Sequence, residues 1–337
     1  MSKPRTIAEL AAWQARAQEP VLDATRKIVD AHHHMWERSP QRYEIEEFGA
    51  EMRAGHNVVA SVFVECTSNY RDDGPEALRP VGETEHVAEQ AVAHARVDMQ
   101  PCAAIVGHAD LMLGSDVGPV LDAHMAAGQG RFRGVRVQAQ HDEELGAMAR
   151  RTPTVGMLDS AEFRAGVQEL TQRGLVLDVY LYFTQLEELA ALARAAPDTR
   201  IVLNHCGTPL GIGRFAGRRD DVFTAWREGV LKLSAFQNVC VKLGGLGMPL
   251  CGFGFEDAAA PPGSAALAQA WGPYIDTLIN AFGAARAMFE SNFPVDKQSC
   301  SYAALWNAFK RISAGCSDAE KDQLFAATAK KIYSIAS

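Results

Sequence analysis

The 337-residue chain is 47% hydrophobic and 22% charged, which excludes a disordered chain and supplies enough apolar material for a buried core. Its formal net charge of -8, from 41 acidic and 33 basic residues without a long block of one sign, argues against nucleic acid or an anionic membrane as partner. A small-molecule substrate is the expected partner. The seven cysteines fall at irregular spacing without a C-x-x-C pair, no N-terminal apolar stretch of roughly 7–15 residues is present, and no run reaches about 18 apolar residues. The expected location is therefore the cytoplasm, and a homo-oligomer is compatible with the composition.

Residues 1–26 read as an amphipathic helical extension, packed outside the fold or plugging its floor. From there eight runs rich in β-branched and apolar residues follow in series: 27–31, 58–66, 102–106, 132–138, 175–181, 200–205, 239–243 and 286–290. Between them lie stretches with helical spacing, such as TEHVAEQAVAHARV and LEELAALARAA. Strand followed by helix, repeated, means a parallel sheet, and eight such units close a single (β/α)8 TIM barrel over residues 27–337. Two inserts, 208–221 and the Gly-rich 244–264, follow strand C-terminal ends, where barrel enzymes build their sites. The GIGRFAG string in the first has the wrong glycine spacing for a dinucleotide loop.

The string IVDAHHHMW carries the most chemistry. Strand side chains alternate faces, so His32 and His34 share one side at the end of the first strand while His33 points to the other. Two imidazoles in one pocket are a metal-ligand pattern, set against a histidine-rich surface turn. His205, at the end of the sixth run, opens onto the same barrel mouth. Glu65 ends the second run, where an unpaired carboxylate on an apolar strand is costly, so a ligand, base or histidine-partner role is expected. Arg136 offers a planar fork to a substrate carboxylate, with Arg133 facing outward, and Lys242 faces the lumen as a further substrate contact. Glu83 and Glu85 open a helix, where acidic residues complement the dipole, and the cysteines read as small hydrophobes.

Taken in order, IVDAHHHMW, VFVECTSNYR, FRGVRVQ, IVLNHCGTP, NVCVKLGG and RAMFESNFPVD resemble the amidohydrolase superfamily. The likeness is to the branch of metal-dependent TIM-barrel hydrolases that contains sugar lactonases and pyrone-dicarboxylate lactonase, and it runs from about Lys27 to the C-terminus. It implies one divalent ion, zinc by preference, on His32 and His34, with His205 as a third ligand or a substrate contact. The family's strand-eight Asp falls on Asn292, and an amide is no general base at neutral pH. Either Asp296 takes over as base, in competition with capping the helix that follows, or Asn292 positions the water while another group takes the proton. Metal-free operation is a further option within this branch. The implied reaction is metal-assisted opening of a small lactone, carboxylated or sugar-derived. The alternatives are decarboxylation of a small unsaturated or aromatic acid, or a silent ligand-binding barrel.

Overall fold

The computed structural model describes residues 4–38, 41–145 and 153–336. All eight expected strands form: β1 (Lys27–His33), β2 (Asn57–Val64), β3 (Gln100–Gly107), β4 (Phe132–Gln138), β5 (Val176–Tyr180), β6 (Ile201–Leu203), β7 (Val239–Leu243) and β8 (Ala287–Phe289). They pair in parallel, in chain order, from β1 to β8, with helices around them, which makes the fold a TIM barrel. A short antiparallel hairpin, Trp36–Arg38 with Gln41–Tyr43, follows β1 and has no counterpart in the sequence reading. None of the seven cysteines is in a disulfide, and no helix among the described residues is long and apolar enough to cross a membrane.

Among the described residues no ladder joins β8 to β1. The seam is closed by the segment after β8 and by one side chain. Asn292 N donates to His32 O (2.9 Å), and His34 N donates to Phe293 O (2.8 Å). Asp30, fully buried, accepts from Ser291 N (2.9 Å) and His32 N (3.3 Å) through Oδ1 and from Tyr302 Oη (3.0 Å) through Oδ2. The β1–β2 register slips between Asp30 and His33, so that three residues of β1 span two of β2. Such a bulge re-aims side chains. Here Val29 and Ala31 pack in the barrel's inner core, whereas His33 stacks outside on Phe48 at a centroid distance of 3.7 Å.

The inner core is built from small and β-branched residues, including Ala60, Val62, Ala104, Val176, Val202 and Cys240. The space they leave is filled from below by the C-terminal helix Thr328–Ile332 and Tyr333, together with Ala326. Arg133 Nε and Arg200 Nη1 donate to the Tyr333 and Ile332 carbonyls (2.9 Å each), cations placed where a helix C-terminus is negative. Arg133 therefore clamps the floor instead of facing freely outward. The N-terminal helix Ile7–Gln14 does not plug that floor. Trp13 Nε1 donates to Ala258 O (2.8 Å) and Arg5 Nη2 to Glu256 O (2.6 Å), which lays the extension against the insert that follows β7.

If Asp30 is what closes the seam, Asp30→Ala strips the partners from two buried N–H groups and a tyrosine hydroxyl. Urea unfolding should then show a loss of about 3 kcal/mol, and Tyr302→Phe a loss of about 1 kcal/mol. Unchanged midpoints would mean that the backbone contacts alone hold β1 to β8.

Candidate active site

On four of the strands period-2 alternation leads from an apolar layer to a polar one. Two residues beyond Val176, Val202, Cys240 and Met288 stand Asp178, Asn204, Lys242 and Glu290, all fully buried. Above them lie the histidines. The His32 ring centroid is 4.8 Å from that of His34 and 4.6 Å from that of His205, and the Nε2 atoms of His32 and His34 are 3.2 Å apart. The structure thus brings together the three histidines that the sequence singles out.

The partners of these rings set their tautomers, because a carbonyl or carboxylate only accepts. His34 Nδ1 donates to Val64 O (2.7 Å), which leaves Nε2 bare when the ring is neutral. His205 Nδ1 and its backbone N both donate to Glu290 Oε1 (2.8 and 3.1 Å). His32 Nδ1 lies between Lys242 Nζ (3.2 Å) and Glu290 Oε2 (3.0 Å); the second contact is close but lacks hydrogen-bond alignment. Burial, reinforced by Lys242 at His32 and by Arg136 at His34, holds both rings well below the usual histidine range, so both are neutral.

Glu290 is a site residue that the sequence expectations did not include. One donor atom from each of His32, His205 and Glu290 falls within 4.8 Å of the others, a geometry that would suit a metal. The hydrogen bonds give Glu290 a different task, since its Oε1 is taken up by His205. The glycines after β7 make the close packing here feasible. A Cβ on Gly245, at φ +68°, would sit 2.5 Å from His205 Cβ, and one on Gly247 would sit 2.8 Å from Asp296 Oδ2. Four non-glycine site residues, His205, Cys206, Thr208 and Asn292, adopt left-handed backbone with φ between +46° and +54°. Strain of this kind persists only where the surroundings enforce it.

Asn292 Nδ2 donates to Asp296 Oδ1 (2.8 Å), while Asn292 Oδ1 is buried without a partner. Asp296 Oδ2 accepts from Gly247 N (2.9 Å), and burial pushes this carboxyl well above its usual range. Its side chain does not cap the short helix Asp296–Gln298, so the capping alternative is not realised.

Arg136, Glu65, Lys242 and Glu83 depart from their expected surroundings. Arg136 does not present a free fork, because its Nε and Nη2 donate to Glu65 Oε1 (2.9 and 2.7 Å) and Nη2 also donates to Glu65 O (2.6 Å). Glu65, which also accepts from Gln138 Nε2 (2.8 Å), is an ion-paired anchor. Lys242 faces the lumen as expected but is fully buried, with Nζ 2.7 Å from Asp178 Oδ2, beneath the histidines and not at the mouth. Glu83 also does more than complement a helix dipole: it accepts from Cys66 N (3.0 Å) and Ser68 N (2.8 Å), and burial beside Glu65 raises it to about 7.

Comparison with known proteins identifies the family. The amidohydrolase family model matches residues 29–335. An uncharacterised protein of Sinorhizobium fredii, y4mH, is 33% identical over 331 residues, covering 91% of this chain and 98% of its own. An L-fucono-1,5-lactonase of Burkholderia multivorans is 26% identical, covering 91% of this chain and 96% of its own. A crystal structure of a B. multivorans amidohydrolase with bound zinc superposes with a TM-score of 0.69 at 26% identity, over 92% of this chain and 99% of that one. The chain belongs to the amidohydrolase family and is an enzyme of the hydrolase type.

Proposed function

We propose that this enzyme opens a small, sugar-derived lactone by metal-assisted addition of water. The observation that carries the reading is the tautomer pattern. The Nδ1 edges of His34 and His205 are occupied by acceptors, which leaves both Nε2 atoms as ligands, and Glu290 is at hand to do the same for His32. Nitrogens bound to one tetrahedral zinc at about 2.0–2.1 Å are roughly 3.3 Å apart, close to the 3.2 Å between His32 and His34 Nε2. The unpartnered Asn292 Oδ1 is a second fit, an acceptor for the water of the same site.

His32, His34 and His205 would hold the ion, which when bound supplies Lewis-acid polarisation of the carbonyl and acidifies water. Asn292 Oδ1 accepts one O–H of the attacking water, its amide held in that orientation by Asp296. As the water oxygen bonds to the carbonyl carbon, its proton passes to Asp296. Collapse breaks the ring C–O bond, the alkoxide takes that proton back, and a hydroxy acid leaves. The Glu65–Arg136 pair is formally neutral, which favours hydroxylated over carboxylated substrates. The relatives named as L-fucono-1,5-lactonases support a sugar lactone over an aromatic acid.

A panel of sugar lactones that includes L-fucono-1,5-lactone, followed by acid release with a pH indicator, tests the reaction directly. Turnover of at least one is expected; carbon dioxide release from aromatic acids, with no lactone opened, would overturn it.

Elemental analysis after mild purification should give about one divalent ion per chain. His34→Ala should abolish it, and Glu290→Gln should weaken zinc binding by about 10–100-fold, the scale for a carboxylate behind a ligand histidine. Full occupancy in His34→Ala would remove the histidines from the metal's coordination.

Asp296→Asn keeps the shape of the side chain and takes away its basicity. A fall in kcat on the order of a hundredfold, with the thermal midpoint little changed, is expected for a general base. An unchanged kcat would leave Asp296 as a brace for Asn292 and Gly247 only.

A further inference from the structure

The C-terminal helix reaches the histidines through a chain of buried polar groups. Tyr333 is fully buried, and its Oη donates to Asp178, 2.8 Å from Oδ1 and 3.1 Å from Oδ2. Asp178 Oδ2 also accepts from Lys242 Nζ (2.7 Å) and Asn204 Nδ2 (3.0 Å). An ammonium only donates, so the 3.2 Å contact between Lys242 Nζ and His32 Nδ1 requires a bare Nδ1 and a proton on Nε2. That proton points at His34 Nε2, 3.2 Å away, which is bare because its own Nδ1 donates to Val64 O. The directions agree along the whole path.

We infer that Tyr333 is a positioning residue of the active site, acting through Asp178 and Lys242 to set which nitrogen of His32 carries its proton. His32 Nδ1 has two rival neighbours. Lys242 favours a bare Nδ1, whereas Glu290 Oε2, 3.0 Å away, favours Nδ1–H and a bare Nε2. Only the second arrangement leaves Nε2 free to bind an ion, and the ring's charge is the same in both. Tyr333 enters because its hydroxyl shares Asp178 with Lys242. Without it Asp178 has one donor fewer, draws the ammonium more strongly, and loosens it from His32. The floor of the barrel thereby adjusts the readiness of a histidine at its mouth. The link to metal binding rests on the proposed function, but the tautomer does not.

Tyr333→Phe removes a single oxygen from a packed ring. In the metal-free protein, ¹⁵N spectra of the histidine side chains should show His32 protonated on Nε2 in the parent and shifted towards Nδ1 protonation in Tyr333→Phe. Zinc titration should show binding tighter by about threefold or more. Lys242→Met, which leaves the plug untouched, should shift His32 the same way and decides the case if Tyr333→Phe does not fold. A His32 signal unchanged in folded Tyr333→Phe, or in Lys242→Met when only that variant folds, overturns the inference, whatever the thermal midpoints do. Should the parent bind no zinc at all, the proposed function fails while the tautomer measurement still decides this one.

Discussion

The seam between the first and last strands is the constraint on which the site depends. In a closed barrel each strand is held by ladders on both sides, but here β1 and β8 meet through Asp30 and the backbone of residues 291–293. Because the junction is made by side chain and loop, β1 is free to bulge, and the bulge turns His32 and His34 towards the mouth just where Glu290 and Asn292 emerge from β8. The contacts that close the fold therefore also set the spacing of the chemically active groups. Asp30 sits at this point because two backbone N–H groups and a tyrosine hydroxyl would otherwise be buried without an acceptor.

Below the mouth the barrel interior carries charge, which is unusual for a packed core and is tolerated only in pairs. Lys242 is matched by Asp178 and Arg136 by Glu65, each with further hydrogen bonds to Asn204, Tyr333 or Gln138. These pairings decide the roles open to each group. A lysine locked to an aspartate lies beneath the histidines, and an arginine braced by a glutamate has its Nε and Nη2 already engaged. The small residues of the inner layer have a matching logic: they leave the volume that the C-terminal helix fills.

The chain departs from the pattern its family resemblance implies at one position. Asn292 stands in place of an aspartate, and its Nδ2 donates to Asp296, a buried carboxylate four residues further on. The glycines after β7 permit this, because a side chain at 247 would collide with Asp296 and one at 245 with His205.

Hydrophobic periodicity alone determined the eight strands, their order and the barrel, since each half-buried or buried run advertises itself locally. His32, His34 and His205 were legible for the same reason: they terminate such runs, and every run ends at one mouth. Glu290 was equally legible by the rule that picked out Glu65, a carboxylate at the end of an apolar strand, but it was hidden beside the more familiar Asn292 motif. What only the tertiary structure decided is pairing. Nothing local distinguishes an Arg136 that awaits a substrate from one already held by Glu65, 71 residues away, or reveals that Tyr333 lies against Asp178, 155 residues earlier. A strand's alternation says which neighbouring side chains share a face, until a bulge such as that of β1 resets it. Which group it meets there depends on distant strands and on a C-terminal plug that carries no signal of its destination.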